Sequence, residues 1–336
     1  MIGSAPAATS LAPDQFAAPW GARGYVTELG GPVHWVEFSS SLDLGSGSGP
    51  GTYGPPVVFV HGLGGSHLNW CLVGPQLAAG RRAVALDLAG FGLTPGTRHT
   101  ATVRANARLL DRFVRQIIGT AVILVGNSMG GTISVLQTAA APETVAGVVL
   151  IDPALPVPRR APDPLVAGQF LLFMLPGLGE LFVRTLSRRA PEQAVRQLIE
   201  LNFADPSRAD PAMVAASTDL ARRRRDDHAG ARARDQSLLA ASRSLLRVIG
   251  RQRRYWEMTA GIEVPVLLIG GESDRLVPIA AMRQAAARNP RWETAFLAGA
   301  GHVPQLEVPA VVTGTVSDWL DRHFPGRNGH AATDRA

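Results

Sequence analysis

The chain has 336 residues, 46% of them hydrophobic, enough for one large domain with an insertion or for two domains. All 33 basic residues are Arg and none is Lys, which excludes Schiff-base chemistry, lysine-anchored cofactors and the lysine of a phosphate-binding loop. The net charge of +6 does not point to nucleic acid: residues 155–258 hold 18 Arg against 11 acids, whereas the remainder holds 15 against 16.

Residues 1–24 and 325–336 are rich in Ala, Pro, Gly or polar residues and are expected to lack assigned structure. The first twenty have neither a basic start nor a continuous apolar segment, so no signal peptide is expected and a reducing cytoplasm is the default location. Strands are expected at 33–38, 56–60, 83–87, 121–125, 145–151, 264–269 and 294–297, where short Val/Ile/Leu runs suit burial on both faces. A Gly/Ser/Pro loop is expected at 45–55. Helices are expected at 68–79, 103–118, 129–140, 279–288 and 310–324. The single cysteine, Cys71, falls in the first of these as a buried structural thiol. This alternation implies an α/β class with a mainly parallel, doubly wound sheet.

The rhythm stops after Ile151 and resumes near Val264, with about a hundred helically patterned residues between. The expected division is a core of 25–154 plus 259–324, with a helical cap at 155–258 inserted after the strand 145–151, counted as the sixth. Within the cap, 165–183 is apolar, but Gln169, Pro176, Gly177, Gly179 and Glu180 argue for two short helices broken at Pro176-Gly177 over a membrane span. Their apolar faces suit either packing inside the cap or lining an apolar substrate channel. The run Arg222-Arg223-Arg224-Arg225, followed by Asp226-Asp227, suits a solvated, salt-bridged helix face. Contact of the basic cap with anionic lipid is an alternative the sequence does not favour, and the sequence does not specify an oligomeric state.

The chemistry centres on Gly126-Asn127-Ser128-Met129-Gly130, directly after the strand 121–125. A Gly-x-Ser-x-Gly turn between strand and helix holds the serine in a strained conformation with its hydroxyl projecting from the sheet edge. In so glycine-rich a chain the pattern alone is weak. A serine hydroxyl is a poor nucleophile at neutral pH and needs a base and a group to orient that base. His302, in a Gly-rich loop after the last strand, and Asp274, just after the strand 264–269, are the candidates, in the chain order Ser, Asp, His. Asp152, in Ile151-Asp152-Pro153, is the rival acid. The backbone N–H groups of Leu63, in His61-Gly62-Leu63-Gly64-Gly65, and of Met129 are the candidate oxyanion donors, with Gly64 as alternative to Leu63. His61 is expected to brace that loop without moving protons, His34 and His67 are expected to be satisfied histidines of strand and loop, and Asp87 is not expected to be catalytic. No Cys/His spacing suits zinc and no dinucleotide fingerprint is present, so no cofactor and no metal are implied.

Five motifs in order, His61-Gly62-Leu63-Gly64-Gly65, Asp87-Leu88-Ala89-Gly90-Phe91-Gly92, Gly126 to Gly131, Gly271-Glu272-Ser273-Asp274 and Gly301-His302-Val303-Pro304, resemble the α/β-hydrolase fold superfamily with a cap domain. The resemblance spans roughly 33–324 and implies a serine hydrolase with Ser128 as nucleophile, His302 as base and Asp274 as orienting acid. Relatives that open epoxides or remove halides carry an aspartate where this chain has Ser128. The expected substrate is a small hydrophobic ester or related acyl compound, as for carboxylesterases and lipases. Asn127 and the stretch Asn202-Phe203-Ala204-Asp205-Pro206 also resemble hydrolases that cleave C–C bonds of 2-hydroxy-6-oxo-dienoates, although the tryptophans associated with that subgroup are missing after His302. A binding protein without turnover is the reading from another class.

Overall fold

Among the described residues nine strands form one sheet in the order β1-β2-β3-β5-β4-β6-β7-β8-β9: β1 (Thr9–Pro13), β2 (Ala22–Glu28), β3 (Pro32–Phe38), β4 (Val57–Val60), β5 (Ala83–Leu86), β6 (Val122–Asn127), β7 (Val145–Ile151), β8 (Val266–Gly271) and β9 (Glu293–Leu297). The computed structural model describes residues 9–13, 15–39, 54–156, 168 and 171–325. β4 to β9 run parallel, while β1, β2 and β3 form an antiparallel edge that joins β5.

The parallel strands alternate between two cores because successive side chains point to opposite faces. Val58, Val84, Leu124, Val148 and Leu268 enter one core with Leu109, Leu110 and Phe113 of α1 (Val103–Phe113) and Ile133 of α2 (Met129–Ala140). Phe59, Ala85, Ile123, Val149 and Leu267 face the other core, opposite Trp70 and the C-terminal helix Pro309–His323, which supplies Val312, Val316 and Trp319. Helices thus cover both faces, as a sheet with no polar face requires.

Between β7 and β8 lies the helical insertion: α3 (Leu178–Ser187), α4 (Pro191–Asn202), α5 (Pro211–Asp226), α6 (Ala231–Gly250) and α7 (Gln252–Ala260). It shares the main cores, through Leu245, Val248, Tyr255 and Trp256 on one face and Ala216 and Leu220 on the other. A helical turn through Met174 breaks at Pro176-Gly177 before α3 starts, so the apolar stretch does not form one long helix. Among the described residues no helix is long and apolar enough to cross a membrane.

Several expectations are corrected. The segment 1–24 contributes β1 and the start of β2, while residues 1–8 lie outside the described residues, as do 45–53 of the expected loop and 326–336. With these two added to the five strands expected up to 145–151, the insertion follows the seventh strand and not the sixth. The helix expected at 68–79 is a 3-10 turn (His67–Trp70) and a single α-turn (Gly74–Leu77). A side chain at Gly74 would meet the Phe38 ring at 2.5 Å, and Pro75 lacks the N–H a continuous helix needs. The helix expected at 103–118 finishes as a π-turn (Val114–Ile118), stopped by Gly119 at φ 79°. Of the four-arginine run, Arg222 pairs with Glu192 and with Asp219 at 2.7 Å, as expected for a solvated face. Arg224 departs from it: the side chain turns inward and donates to the carbonyl of Gly90 at 3.2 Å, and desolvation lowers its pKa to about 10.

Candidate active site

The C-terminal ends of β4, β6, β8 and β9 converge on one edge of the sheet, where open α/β sheets place their ligands. At the end of β6 the chain reverses into α2 through Ser128, whose φ of 54° and ψ of −117° are disfavoured for any residue with a side chain. Three glycines make that turn sterically feasible. A Cβ at Gly126 would lie 2.6 Å from the carbonyl oxygen of Gly130, one at Gly130 would lie 2.0 Å from that of Val60, and one at Gly131 would lie 2.7 Å from Cβ of Pro153. The start of α2 therefore presses against the end of β4, and this brings the 61–65 loop beside the serine. A Cβ at Gly62 would sit 3.1 Å from Cβ of Ser128.

Leu63 and Met129 lie on either side of this contact. Among the described residues neither backbone N–H donates a hydrogen bond, as expected for Met129 in the first turn of a helix. His61 holds the loop from beneath: its Nδ1 donates to the Gly62 carbonyl at 2.8 Å and its Nε2 accepts the Leu88 N–H at 3.0 Å. Both ring nitrogens are committed to the neutral tautomer, and burial pulls the pKa down to about 4 against the pull of Asp87 in the other direction. Unfolded, the ring takes up a proton below about pH 6.5, whereas folded it stays neutral to about pH 4, so stability falls as pH drops through that window. The shift corresponds to about 3 kcal/mol. Urea unfolding at pH 7 and pH 4.5 is expected to show this loss in the wild type and a clearly flatter dependence in His61→Asn.

Asp87 anchors the neighbouring loop. Its carboxylate accepts the backbone N–H groups of His67 at 2.7 Å and Leu93 at 2.8 Å, and it meets Nδ1 of His34 at 2.8 Å and Nδ1 of His67 at 3.0 Å. These hydrogen bonds and imidazoles hold its pKa well below the usual carboxylate value despite full burial. The three side chains have the composition of a metal site. However, the inward-facing nitrogens are already directed at the carboxylate, and a Cβ at Gly92 would lie 2.1 Å from that carboxyl carbon, so the cluster is closed by its own contacts.

His302, in the loop after β9, is buried, and its Nδ1 lies 2.7 Å from Oδ2 of Asp274. The other oxygen, Oδ1, accepts the N–H groups of Leu276 at 2.7 Å and Val277 at 3.0 Å, which fixes the carboxylate orientation. The two loops can approach because residue 271 has no side chain: a Cβ there would lie 2.2 Å from the Gly301 carbonyl oxygen. The rival acid, Asp152, is fully buried at φ 40° behind this pair and accepts the Gly271 N–H at 3.0 Å. Burial and the charge of Asp274 raise its pKa well above the usual value, and its side chain is hydrogen-bonded to that of Asp274. The imidazole thus meets Asp274 and not Asp152.

Three supports of the histidine loop are ones to which the sequence assigns no such role. Asn127, buried inside the serine turn, donates through Nδ2 to the carbonyls of Ile151 and His302, both at 3.0 Å, and so ties the serine turn to the histidine loop. The Asn202 carbonyl, at the end of α4, accepts the His302 N–H at 2.7 Å. Glu307 is buried and accepts three backbone N–H groups, those of Gly301 at 2.7 Å, Asp205 at 2.8 Å and Ala204 at 3.1 Å. Asn127 and the stretch 202–206, expected as marks of a substrate subgroup, thus have structural roles. Because an anionic acceptor of three backbone donors is replaced by none, Glu307→Ala is expected to cost about 3 kcal/mol of stability. A urea titration checks this, and Glu307→Gln, which keeps only one acceptor oxygen, should fall between.

Residues 55–309 match the family model described as the α/β-hydrolase fold. The chain belongs to the α/β-hydrolase fold family. It is 28% identical over 273 residues to the dihydrolipoyllysine-residue acetyltransferase component of an acetoin cleaving system from Pseudomonas putida, covering 81% of this chain. The chain spans only 65% of that relative's length. It is 26% identical over 271 residues to a 2-hydroxy-6-oxononadienedioate/2-hydroxy-6-oxononatrienedioate hydrolase from Cupriavidus pinatubonensis, covering 79% of this chain and 86% of that protein. Among solved structures, the haloalkane dehalogenase DatA from Agrobacterium tumefaciens C58 superposes with a TM-score of 0.73 at 21% identity, covering 93% of this chain and all of the other. At that identity the likeness is one of fold.

Proposed function

We propose that this α/β-hydrolase is a serine hydrolase that cleaves an ester or related acyl bond of a hydrophobic substrate through an acyl-enzyme on Ser128. The observation that carries this reading is the convergence of the strained serine, the His302–Asp274 pair at 2.7 Å and the two undonated N–H groups of Leu63 and Met129 on one sheet edge. In the proposed cycle the Ser128 hydroxyl attacks the acyl carbonyl while Nε2 of His302 takes its proton. Asp274 holds Nδ1–H and stabilises the imidazolium. The carbonyl oxygen, now an oxyanion, sits between the two N–H groups, and collapse expels the leaving group, which receives the proton from His302. Water then attacks the acyl-enzyme with His302 again as base, releasing the acid and regenerating the hydroxyl. No step calls for a cofactor. The insertion over this edge serves as a cap, and a cytoplasmic location is part of the same proposal.

A second reading, hydrolysis of a C–C bond in a 2-hydroxy-6-oxo-dienoate, is favoured by the relative from Cupriavidus pinatubonensis. The name of the Pseudomonas putida relative adds acyl transfer to an acceptor other than water. Fluorophosphonate labelling followed by comparison of p-nitrophenyl acyl esters with a 2-hydroxy-6-oxo-dienoate separates these readings. Labelling that depends on Ser128, with ester turnover dominant, is the expected outcome. A preference for the dienoate above about a hundredfold, or some 3 kcal/mol in transition-state binding, overturns the ester assignment. Labelling that survives Ser128→Ala moves the nucleophile to another residue, and no labelling at all leaves a binding protein on the same fold.

A further inference from the structure

The tip of the helical insertion exposes five large apolar side chains within eleven residues. Leu171 is 61% exposed, Leu178 52% and Leu181 60%, and Met174 and Leu175 complete the patch. The turn beneath them is well built. Phe173 and Val183 are buried against Leu239, Phe173 packs on Phe182 at 5.7 Å, and Arg243 donates to the Phe173 carbonyl at 2.7 Å. The exposed leucines are thus displayed by an anchored hairpin. Isolated exposed apolar residues are ordinary, but a contiguous group at the apex of an anchored turn marks an interaction surface.

The charge around the patch is also organised. At 100° per residue, Leu178, Leu181, Arg184 and Arg188 fall along one stripe of α3, while Gly179 and Val183 lie on the opposite, buried side. Arg184 and Arg188 are exposed, and among the described residues neither has an ion-pair partner. The acid of the stretch, Glu180, is neutralised by Arg243 at 2.9 Å and caps the Gly177 N–H. The surface is therefore an apolar apex with unpaired guanidinium groups at its edge.

The geometry points to a membrane-docking surface: the hairpin around Pro176-Gly177 seats Leu171, Leu178 and Leu181 in the acyl–headgroup boundary of an anionic bilayer, with Arg184 and Arg188 on lipid phosphates. Two competing occupants fit less well. A second copy meeting this face about a two-fold axis would bring Arg184 and Arg188 of both copies together without acids between them. A protein partner would draw on Trp and Tyr anchors, whereas this apex is built from Leu and Met, which suit a fluid apolar phase better than a shaped pocket. With no spanning helix among the described residues, the contact is peripheral. The inference is independent of the chemistry at Ser128.

The test is co-sedimentation of the full chain with vesicles of phosphatidylcholine alone or with 30 mol% phosphatidylglycerol, at low and high salt. Partitioning onto the anionic vesicles is expected to exceed that onto neutral ones at least tenfold and to weaken with salt. The double variant Leu178→Asp/Leu181→Asp should reduce it at least tenfold, and Arg184→Gln/Arg188→Gln by about tenfold to thirtyfold with loss of most of the salt dependence. Thermal midpoints of both variants should match the wild type, since none of the four side chains is buried. Equal pelleting of wild type and leucine variant overturns the proposal, as does failure of the wild type to bind anionic vesicles at low salt. Sedimentation velocity without lipid covers the competing occupant: self-association of the wild type that the leucine substitutions abolish would assign the patch to a second copy.

Discussion

Ser128→Ala is expected to lower kcat for ester hydrolysis by at least about 10⁴-fold and towards 10⁶-fold, with KM little changed, because in the proposed cycle the serine supplies the bond that forms. The more discriminating variant is Ser128→Gly. The φ of 54° with ψ of −117° costs a residue with a side chain about 1–3 kcal/mol, and glycine adopts it with far less strain. Part of that gain is offset by the greater unfolded-state entropy of glycine, which leaves an expected net stabilisation of about 1 kcal/mol. Activity and stability should therefore move in opposite directions at one position: turnover lost, urea midpoint raised. A glycine variant that keeps turnover would falsify the nucleophile assignment. One that is destabilised would show that the hydroxyl, not the backbone, holds the turn.

The acid pair behind His302 gives the second large effect. Asp274→Asn is expected to reduce kcat by about 10⁴-fold: an amide in place of the carboxylate presents either an oxygen without charge or an NH₂ that forces the wrong imidazole tautomer. Asp152→Asn should cost less than about tenfold. A protonated carboxyl and an amide have the same shape, and Asn can still donate to Asp274 and accept the Gly271 N–H. Asp152→Asn also carries a pH effect on stability. The pKa of Asp152 is raised in the fold, so above its unfolded value near 3.8 the unfolded chain releases a proton that the folded chain retains. Stability from this group is lost as pH rises towards the folded pKa. Removing the titration should make Asp152→Asn gain on the wild type as pH rises above about 4, as followed by urea unfolding. If instead Asp152→Asn loses kcat as heavily as Asp274→Asn, the roles of the two acids are wrongly divided.

The sheet and the reacting groups are legible in the sequence for a physical reason. Fully buried parallel strands must be continuous apolar runs, and the tight approaches at residues 126, 130, 271 and 301 leave room only for glycine, so Ser128, Asp274 and His302 are framed by their glycines. What is not legible depends on partners distant in sequence. β2 contains Arg23, Gly24 and Glu28 and shows little strand pattern alone; its pairing with all seven residues of β3 forms it. The turn of Gly30 and Gly31, at φ 82° and 140°, was the signal to use for that hairpin. The helix expected over 68–79 followed its apolar spacing past Gly74-Pro75, although a Gly-Pro pair argues for a break. Asn127 and Glu307 are ordinary polar letters until the fold carries them to backbone groups 175 and 102 residues away. No local pattern encodes such a partner.

The seam between α4 and the histidine loop bears on how this architecture can vary. The His302 N–H is accepted by Asn202, Glu307 reaches the backbone of Ala204 and Asp205, and a side chain at Gly301 would lie 2.3 Å from the Asn202 carbonyl oxygen. The insertion is consequently not an interchangeable module resting on a self-sufficient core. A chimaera that exchanges it for a foreign insertion must transplant the 202–205 backbone path together with Glu307, or it will inherit the strand ends and the nucleophile turn while leaving the general base without a seat.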